Sequence, residues 1–227
     1  DHRWIKYNIV NNPVRLVDPD GKMIDDYFSK DGKYLGKDGA SSNLVRIIDG
    51  CDWDVLSNNK EIDHEKGVDL SQLLSESSIS NEALVSIYTH YWKESGHNKE
   101  QPSTIKLEDR VGRKNSHYMD AVSTTSGCDN PRKNHTIVKN RTLYIDHEVM
   151  KRQQICDNKY EIINIMDHEA RHFYQHALGP AGPIYPEYDA IISQVHSPSF
   201  SKCRPEFRQI IRESLNKNTP DVYKNQY

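Results

Sequence analysis

An α+β fold is the class this sequence predicts, and three observations carry it. Short apolar alternations separated by turn formers occupy the first fifty residues, the pattern of brief strands. From residue 80 the apolar positions recur at helical spacing instead. One more strand-like run, Thr142-Leu143-Tyr144-Ile145-Asp146, precedes the longest helical pattern. The expected architecture is a helix-dominated domain with a small sheet, preceded by a short β-rich segment.

Composition narrows the classes. The 227 residues suit one large domain, or a small domain with appendages, and 35% hydrophobic content predicts a modest core. Net charge is −3 with both signs interspersed, so no basic stripe marks nucleic acid as the main partner. No apolar run approaches the ~20 residues a membrane span needs. Four scattered cysteines (Cys51, Cys128, Cys156, Cys203) contain no Cys-x-x-Cys pair, leaving one or two disulfides and four free thiols equally open. The chain starts Asp1-His2-Arg3-Trp4 with no signal peptide, which reads as the C-terminal piece of a longer protein.

The elements follow in order. Tyr7 to Gly21 sets short apolar runs around Asn12-Pro13 and Asp18-Pro19-Asp20-Gly21, predicting strand, turn, strand, turn. Asp25-Asp26-Tyr27-Phe28 and Tyr34-Leu35-Gly36 flank Asp31-Gly32, a hairpin signal. Leu44 to Asp49 predicts a further strand, and the polar residues 50–79 predict no regular element. Ser80 is positioned as an N-cap for a helix whose apolar face is Leu84, Ile87, Tyr88, Tyr91 and Trp92, ending near Gly96. Residues 97–133 read as irregular. His135 to Val138 and Thr142 to Asp146 then flank Lys139-Asn140-Arg141 as a second hairpin. A helix is predicted over Tyr160 to Leu178, stopped by Gly179 and Pro180. Pro186 opens another over Glu187 to Val195, and a last one covers Pro205 to Leu215.

The longest of these helices contains Asp167-His168-Glu169-Ala170-Arg171-His172-Phe173, the pattern His-Glu-x-x-His. On a helix, His168 and His172 stand one turn apart on one face and can grip one zinc ion. Glu169 beside them can then take a proton from an activated water, the chemistry of a zinc-dependent peptidase. Helix phase supports this division. At ~100° per residue, Ile163, Met166, Ala170, Phe173 and Ala177 form one stripe for a core, and the two histidines fall nearly opposite.

A catalytic zinc takes three protein ligands and keeps an open position. His176 continues the same face, but ~1.5 Å rise per residue puts its Cα about 12 Å from that of His168, which favours an exposed residue or one that only supports a ligand. The metzincin pattern would require Gly and His where this chain has Gln175 and Leu178, so that subgroup is excluded. Glu187 is the expected third ligand, 15 residues after His172 across the Gly179-Pro180-Ala181-Gly182-Pro183 turn. Asp189 is the alternative ligand, or a group that orients a histidine. His196, Tyr188 and Tyr174 are candidates to stabilise the oxyanion, and Asp167 to hydrogen-bond a ligand imidazole or cap the turn. Leu143-Tyr144-Ile145 is either a substrate-binding edge strand or an ordinary internal one. The lone His147-Glu148 pair lacks a histidine at i+4 and is read as non-catalytic.

Two family resemblances attach to these residues. Glu187-Tyr188-Asp189-Ala190 resembles the Glu-bearing downstream helix of gluzincins, although the spacer is shorter than in the larger members. That resemblance implies a zincin-like metallopeptidase domain over 80–227 with a zinc cofactor. Asn11-Asn12-Pro13 followed by Asp18-Pro19-Asp20-Gly21 resembles the end of the core of Rhs (rearrangement hotspot) repeat proteins. The likeness covers about the first twenty-five residues. It implies an Rhs-core remnant over 1–24, a β-rich linker or pre-toxin segment over 25–79, and a toxin or effector as cargo after the junction. It also implies an Rhs shell in the full-length protein, secretion or injection into a target cell, interbacterial competition and a cognate immunity protein. The expected substrate is a protein or peptide. A nuclease toxin, which many Rhs cargoes are, and a catalytically inactive zinc-binding interaction domain are the alternatives.

Overall fold

A computed structural model of the chain describes residues 25–38, 42–59, 67–107, 119–126, 137–146, 150, 155–178 and 182–221. The Rhs-like residues 1–24, Cys128, the His147-Glu148 pair and residues 179–181 of the reversing turn lie outside the described residues. The class is α+β. Strands β1 (Asp26–Phe28), β2 (Tyr34–Lys37), β3 (Val45–Ile47) and β4 (Val68–Asp69) form one sheet in the order β2-β1-β3-β4. Strands β5 (Thr104–Leu107), β6 (Met119–Ser126) and β7 (Ile137–Ile145) form a second, in the order β5-β7-β6. The helices are α1 (Gly50–Asn59), α2 (Leu70–Ser75), α3 (Asn81–Glu94), α4 (Lys159–Leu178), α5 (Pro186–His196) and α6 (Pro205–Asn218).

Local signals account for the first sheet. β1 and β2 pair antiparallel around the Asp31-Gly32 turn, and β3 adds parallel to β1. Gly32 sits at φ 79°, and a Cβ there would collide with the Ala83 carbonyl, so only glycine fits both the turn and the approach of α3. Ser80 caps α3 as expected, its side chain accepting from the Ala83 amide.

The second sheet departs from expectation. Residues 137–145 form one continuous strand, not a hairpin turning at Lys139-Asn140-Arg141. β7 pairs antiparallel with β6 along its length and parallel with β5 over Thr142–Ile145. It is therefore the central strand, and Leu143-Tyr144-Ile145 cannot receive an added substrate strand. β5 and β6 fall in the stretch read as irregular. α1, β4 and α2 likewise occupy residues 50–79, where no element was expected.

The segment 25–79 shares its core with the rest. Phe28, Val45 and Ile47 from the first sheet lie in one contiguous cluster with Leu84, Ile87 and Trp92 of α3, Leu143 of β7, and Ile162, Met166 and Phe173 of α4. The main cluster thus crosses residue 79, and a smaller one of Tyr27, Ile48 and Trp53 lies wholly before it. Phe173 is fully buried and meets Trp92 edge-on at 5.8 Å between ring centroids. Phe173→Ala is expected to cost about 3–5 kcal/mol by leaving a cavity, measured as a lowered urea midpoint of the metal-free chain.

Helix α4 is the frame on which the site is built. Asn158 caps it, its Oδ1 accepting from the Tyr160 and Glu161 amides at 3.1 and 3.3 Å. Polar side chains then pin it to its neighbours turn by turn. Fully buried Glu161 accepts two guanidinium bonds from Arg204 at 2.7 Å, tying α4 to the start of α6. Asn164 Nδ2 donates to the Gln194 carbonyl at 3.1 Å, fixing the C-terminal end of α5. Gln175 Nε2 donates to the Pro186 carbonyl at 2.8 Å, fixing the other end. The two helices consequently run antiparallel, with the first turn of α5 over the second half of α4. No helix among the described residues is long and apolar enough to cross a membrane.

Candidate metal centre

The predicted face division of α4 is present. Met166, Ala170 and Phe173 are at most 2% exposed, whereas His168 and His172 are only partly buried. The two imidazoles are nearly perpendicular, at 78°, and their Nε2 atoms lie 3.0 Å apart. Pinning α5 at both ends brings Glu187 onto them from the side. Its Oε1 is 3.5 Å from His168 Nε2, and its Oε2 is 3.3 Å from His172 Nε2. His168, His172 and Glu187 therefore present one ligand atom each within 4.8 Å of one another, a donor set able to hold a metal ion. The carboxylate is the most exposed member at 39%, so the centre opens to solvent on the α5 side.

Asp189 is not in this cluster. Its two oxygens accept from Arg171 Nε and Nη2 at 2.6 and 2.9 Å, and Oδ2 also accepts from Gln175 Nε2 at 2.9 Å. The Arg171 bonds hold its carboxyl below the usual range against the opposing effect of partial burial, and Gln175 adds to the lowering. A carboxylate so engaged is an anchor for α5 and, through Gln175, a support for His172. Gln175 Oε1 lies 2.8 Å from His172 Nδ1. The sequence reading missed Gln175. The only signal for it was its i+3 spacing from His172, which places the two on one helix face.

Charge gathers on His172. Burial alone would lower its proton affinity, but the Glu187 bond, the Glu169 charge and the Gln175 bond outweigh it and push the pKa up to about 9. Glu169 itself is buried, at 4% exposure, three residues before this histidine, and its charge acts on it.

The remaining expected residues are placed as follows. Asp167 does not reach a ligand imidazole. Its Oδ1 pairs with His97 Nε2 at 2.9 Å and its Oδ2 accepts from Ser199 Oγ at 2.6 Å. It lines a separate cleft with Tyr160, Ser199 and Lys202. His196 is at the far end of α5, nine residues from Glu187, and helix rise alone separates their Cα atoms by about 13 Å. Its Nδ1 is 2.8 Å from the Ile192 carbonyl of its own helix. It is not brought to the donor set. Tyr174 is exposed and lies under the Arg171 guanidinium at 4.9 Å. Tyr188 follows Glu187 in the first turn of α5 and is half-buried. His176 is also outside the donor cluster. Among the described residues Cys51, Cys156 and Cys203 are free thiols, and burial pushes the last two well above the ordinary thiol range.

Compared with protein-family models, curated proteins and solved structures, the chain matches none. The site must speak from its own geometry.

Proposed function

We propose that the chain is a zinc-dependent peptidase of zincin type, acting as the effector cargo of an Rhs-like protein. The observation that carries the reading is the spacing of the three donors. A tetrahedral zinc with bonds of ~2.0–2.1 Å needs ligand atoms about 3.3 Å apart. The two imidazole nitrogens here are 3.0 Å apart, and Glu187 reaches them with separate oxygens, Oε1 3.5 Å from His168 Nε2 and Oε2 3.3 Å from His172 Nε2, so one oxygen and the two nitrogens form a set within 4.8 Å. Two imidazole nitrogens and one carboxylate oxygen are also the donor chemistry zinc takes in hydrolytic sites, with the fourth position left open.

Zinc, when bound, supplies a Lewis acid that lowers the pKa of a water towards ~7 and polarises the scissile carbonyl. The chain's own residues do the rest. Glu169 directly follows His168, accepts the proton of the attacking water and passes it to the leaving amine. Its burial keeps competing solvent from its carboxylate. We assign the oxyanion role to Tyr188, the candidate carried within one residue of a ligand on α5. The strand-addition role, one of the two alternatives open for Leu143–Ile145, passes to β6. Among the described residues that strand forms an edge of the sheet and packs on α4, the helix that carries His168 and His172.

The Rhs-like N-terminal motifs support delivery into a target cell, with an immunity protein of the producing cell covering the centre. Incubation of the zinc-loaded chain with unfolded protein substrates is the test. Cleavage that a chelator stops and added zinc restores is expected. Failure to cut any peptide, with cleavage of plasmid or RNA instead, would replace this reading by the nuclease one.

One further consequence concerns protons. With its pKa at about 9, metal-free His172 carries two ring protons at neutral pH. A metal must displace the one on Nε2, so zinc uptake releases a proton and the apparent affinity rises with pH until about 9. Calorimetric titrations at pH 7 in buffers of different ionisation heat should show that release.

A further inference from the structure

The side-chain amide of Gln175 has no choice of orientation. Its Nε2 faces the Pro186 carbonyl at 2.8 Å and the Asp189 carboxylate at 2.9 Å. Both partners are acceptors without a proton to give, so the amino end of the amide must face them. A carbonyl oxygen in that place would meet two other oxygens. Oε1 is therefore directed at His172 Nδ1, 2.8 Å away, and an oxygen there accepts only from a protonated nitrogen. Asp189 is itself fixed by its two bonds to Arg171, so the orientation rests on a paired charge rather than a mobile side chain. Gln175 is 6% exposed, which keeps water from substituting for either contact.

The geometry points to Gln175 as the positioning residue that selects Nε2 of His172 as the metal-binding nitrogen. The relay runs from the Arg171–Asp189 pair and the Pro186 carbonyl through the amide to Nδ1–H. A neutral imidazole has one proton; holding it on Nδ1 leaves the lone pair of Nε2 for the donor cluster. Free histidine prefers the opposite tautomer, with the proton on Nε2, which would block the site. The same amide also joins α4 to α5, so one side chain couples the ring tautomer to the placement of Glu187. This inference rests on the reading of the centre as a zinc site, but its first test does not need the metal.

In the metal-free chain, at a pH where the His172 ring carries a single proton, nitrogen NMR of the imidazole should find that proton on Nδ1 in the wild type. In Gln175→Met, of similar length but with no acceptor, it should move towards Nε2. A wild-type ring protonated on Nε2, or an unchanged tautomer in Gln175→Met, overturns the proposal; the wild-type spectrum decides alone if the variant does not fold. The second arm is zinc affinity by chelator competition. Gln175→Met should bind zinc roughly 10–100-fold more weakly than wild type. A zinc affinity unchanged in Gln175→Met also overturns the proposal. A wild type that binds no zinc while keeping the Nδ1 proton would sink the zinc reading and leave the assignment of the tautomer standing.

Discussion

Glu169→Gln should leave zinc bound and remove hydrolysis. The amide keeps the size of the carboxylate and is not one of the three converging donors, so the metal content of the variant should equal that of wild type. It cannot accept the water proton at neutral pH. A positioned general base contributes typically ~10²–10⁴-fold, and here the same group also returns the proton to the leaving amine, so the loss should reach the upper part of that range. Turnover of a peptide substrate, with metal analysis of the same sample, measures both halves. Toxicity on expression in a susceptible cell should vanish with turnover. A Glu169→Gln protein of normal activity would remove Glu169 from the mechanism and the His-Glu-x-x-His reading with it.

The second large effect separates the two acidic residues of the first turn of α5. Glu187→Ala deletes a metal donor, and zinc affinity should fall by more than the ~10–100-fold typical of a residue that only orients a ligand. Asp189→Ala should stay within that smaller range, because it removes the anchor of Gln175 and Arg171 but leaves all three donors present. The two variants should also differ in their effect on the metal-free ring. Glu187→Ala takes away the first of the contributions that raise the proton affinity of His172, so its pKa should drop from about 9. Chelator competition and a histidine titration by NMR read the pair. A greater loss of zinc in Asp189→Ala than in Glu187→Ala would make Asp189 the ligand.

What the sequence discloses is set by how local the determining physics is. The β1–β2 hairpin, β3 and helices α3 to α6 follow from turn residues, caps and apolar spacing within a few positions. Ser80 and Pro186 mark their helix starts as written. The His168 and His172 pair is equally local, since one helical turn fixes it. Glu187 was legible because a proline-opened helix after a Gly/Pro turn brings an acidic residue back along α4.

The misreadings have a common cause. Lys139-Asn140-Arg141 has the polarity of a turn, and pairing with β6, from more than ten residues away, keeps it extended. β5 alternates over only four residues and β6 does not alternate, and both pair with β7, which lies between them. Asp167 looked like a partner for a neighbouring imidazole. Its actual partners, His97 and Ser199, are 70 and 32 residues distant. His196 shares the ligand-bearing helix but sits at the wrong end of it, which helix rise alone could have shown. Gln175 is the opposite case: its spacing was visible, but the acceptor pair that fixes its amide comes from the returning helix.

We propose that His168, His172 and Glu187 hold a zinc ion. X-ray absorption at the zinc edge of the loaded full chain tests it most directly. The spectrum should show one zinc per chain with nitrogen and oxygen neighbours at ~2.0–2.1 Å, two of them imidazoles, and no sulfur. It should change in His168→Ala and in Glu187→Ala. A sulfur shell at ~2.3 Å, or a spectrum indifferent to both substitutions, would place the metal elsewhere and contradict the account.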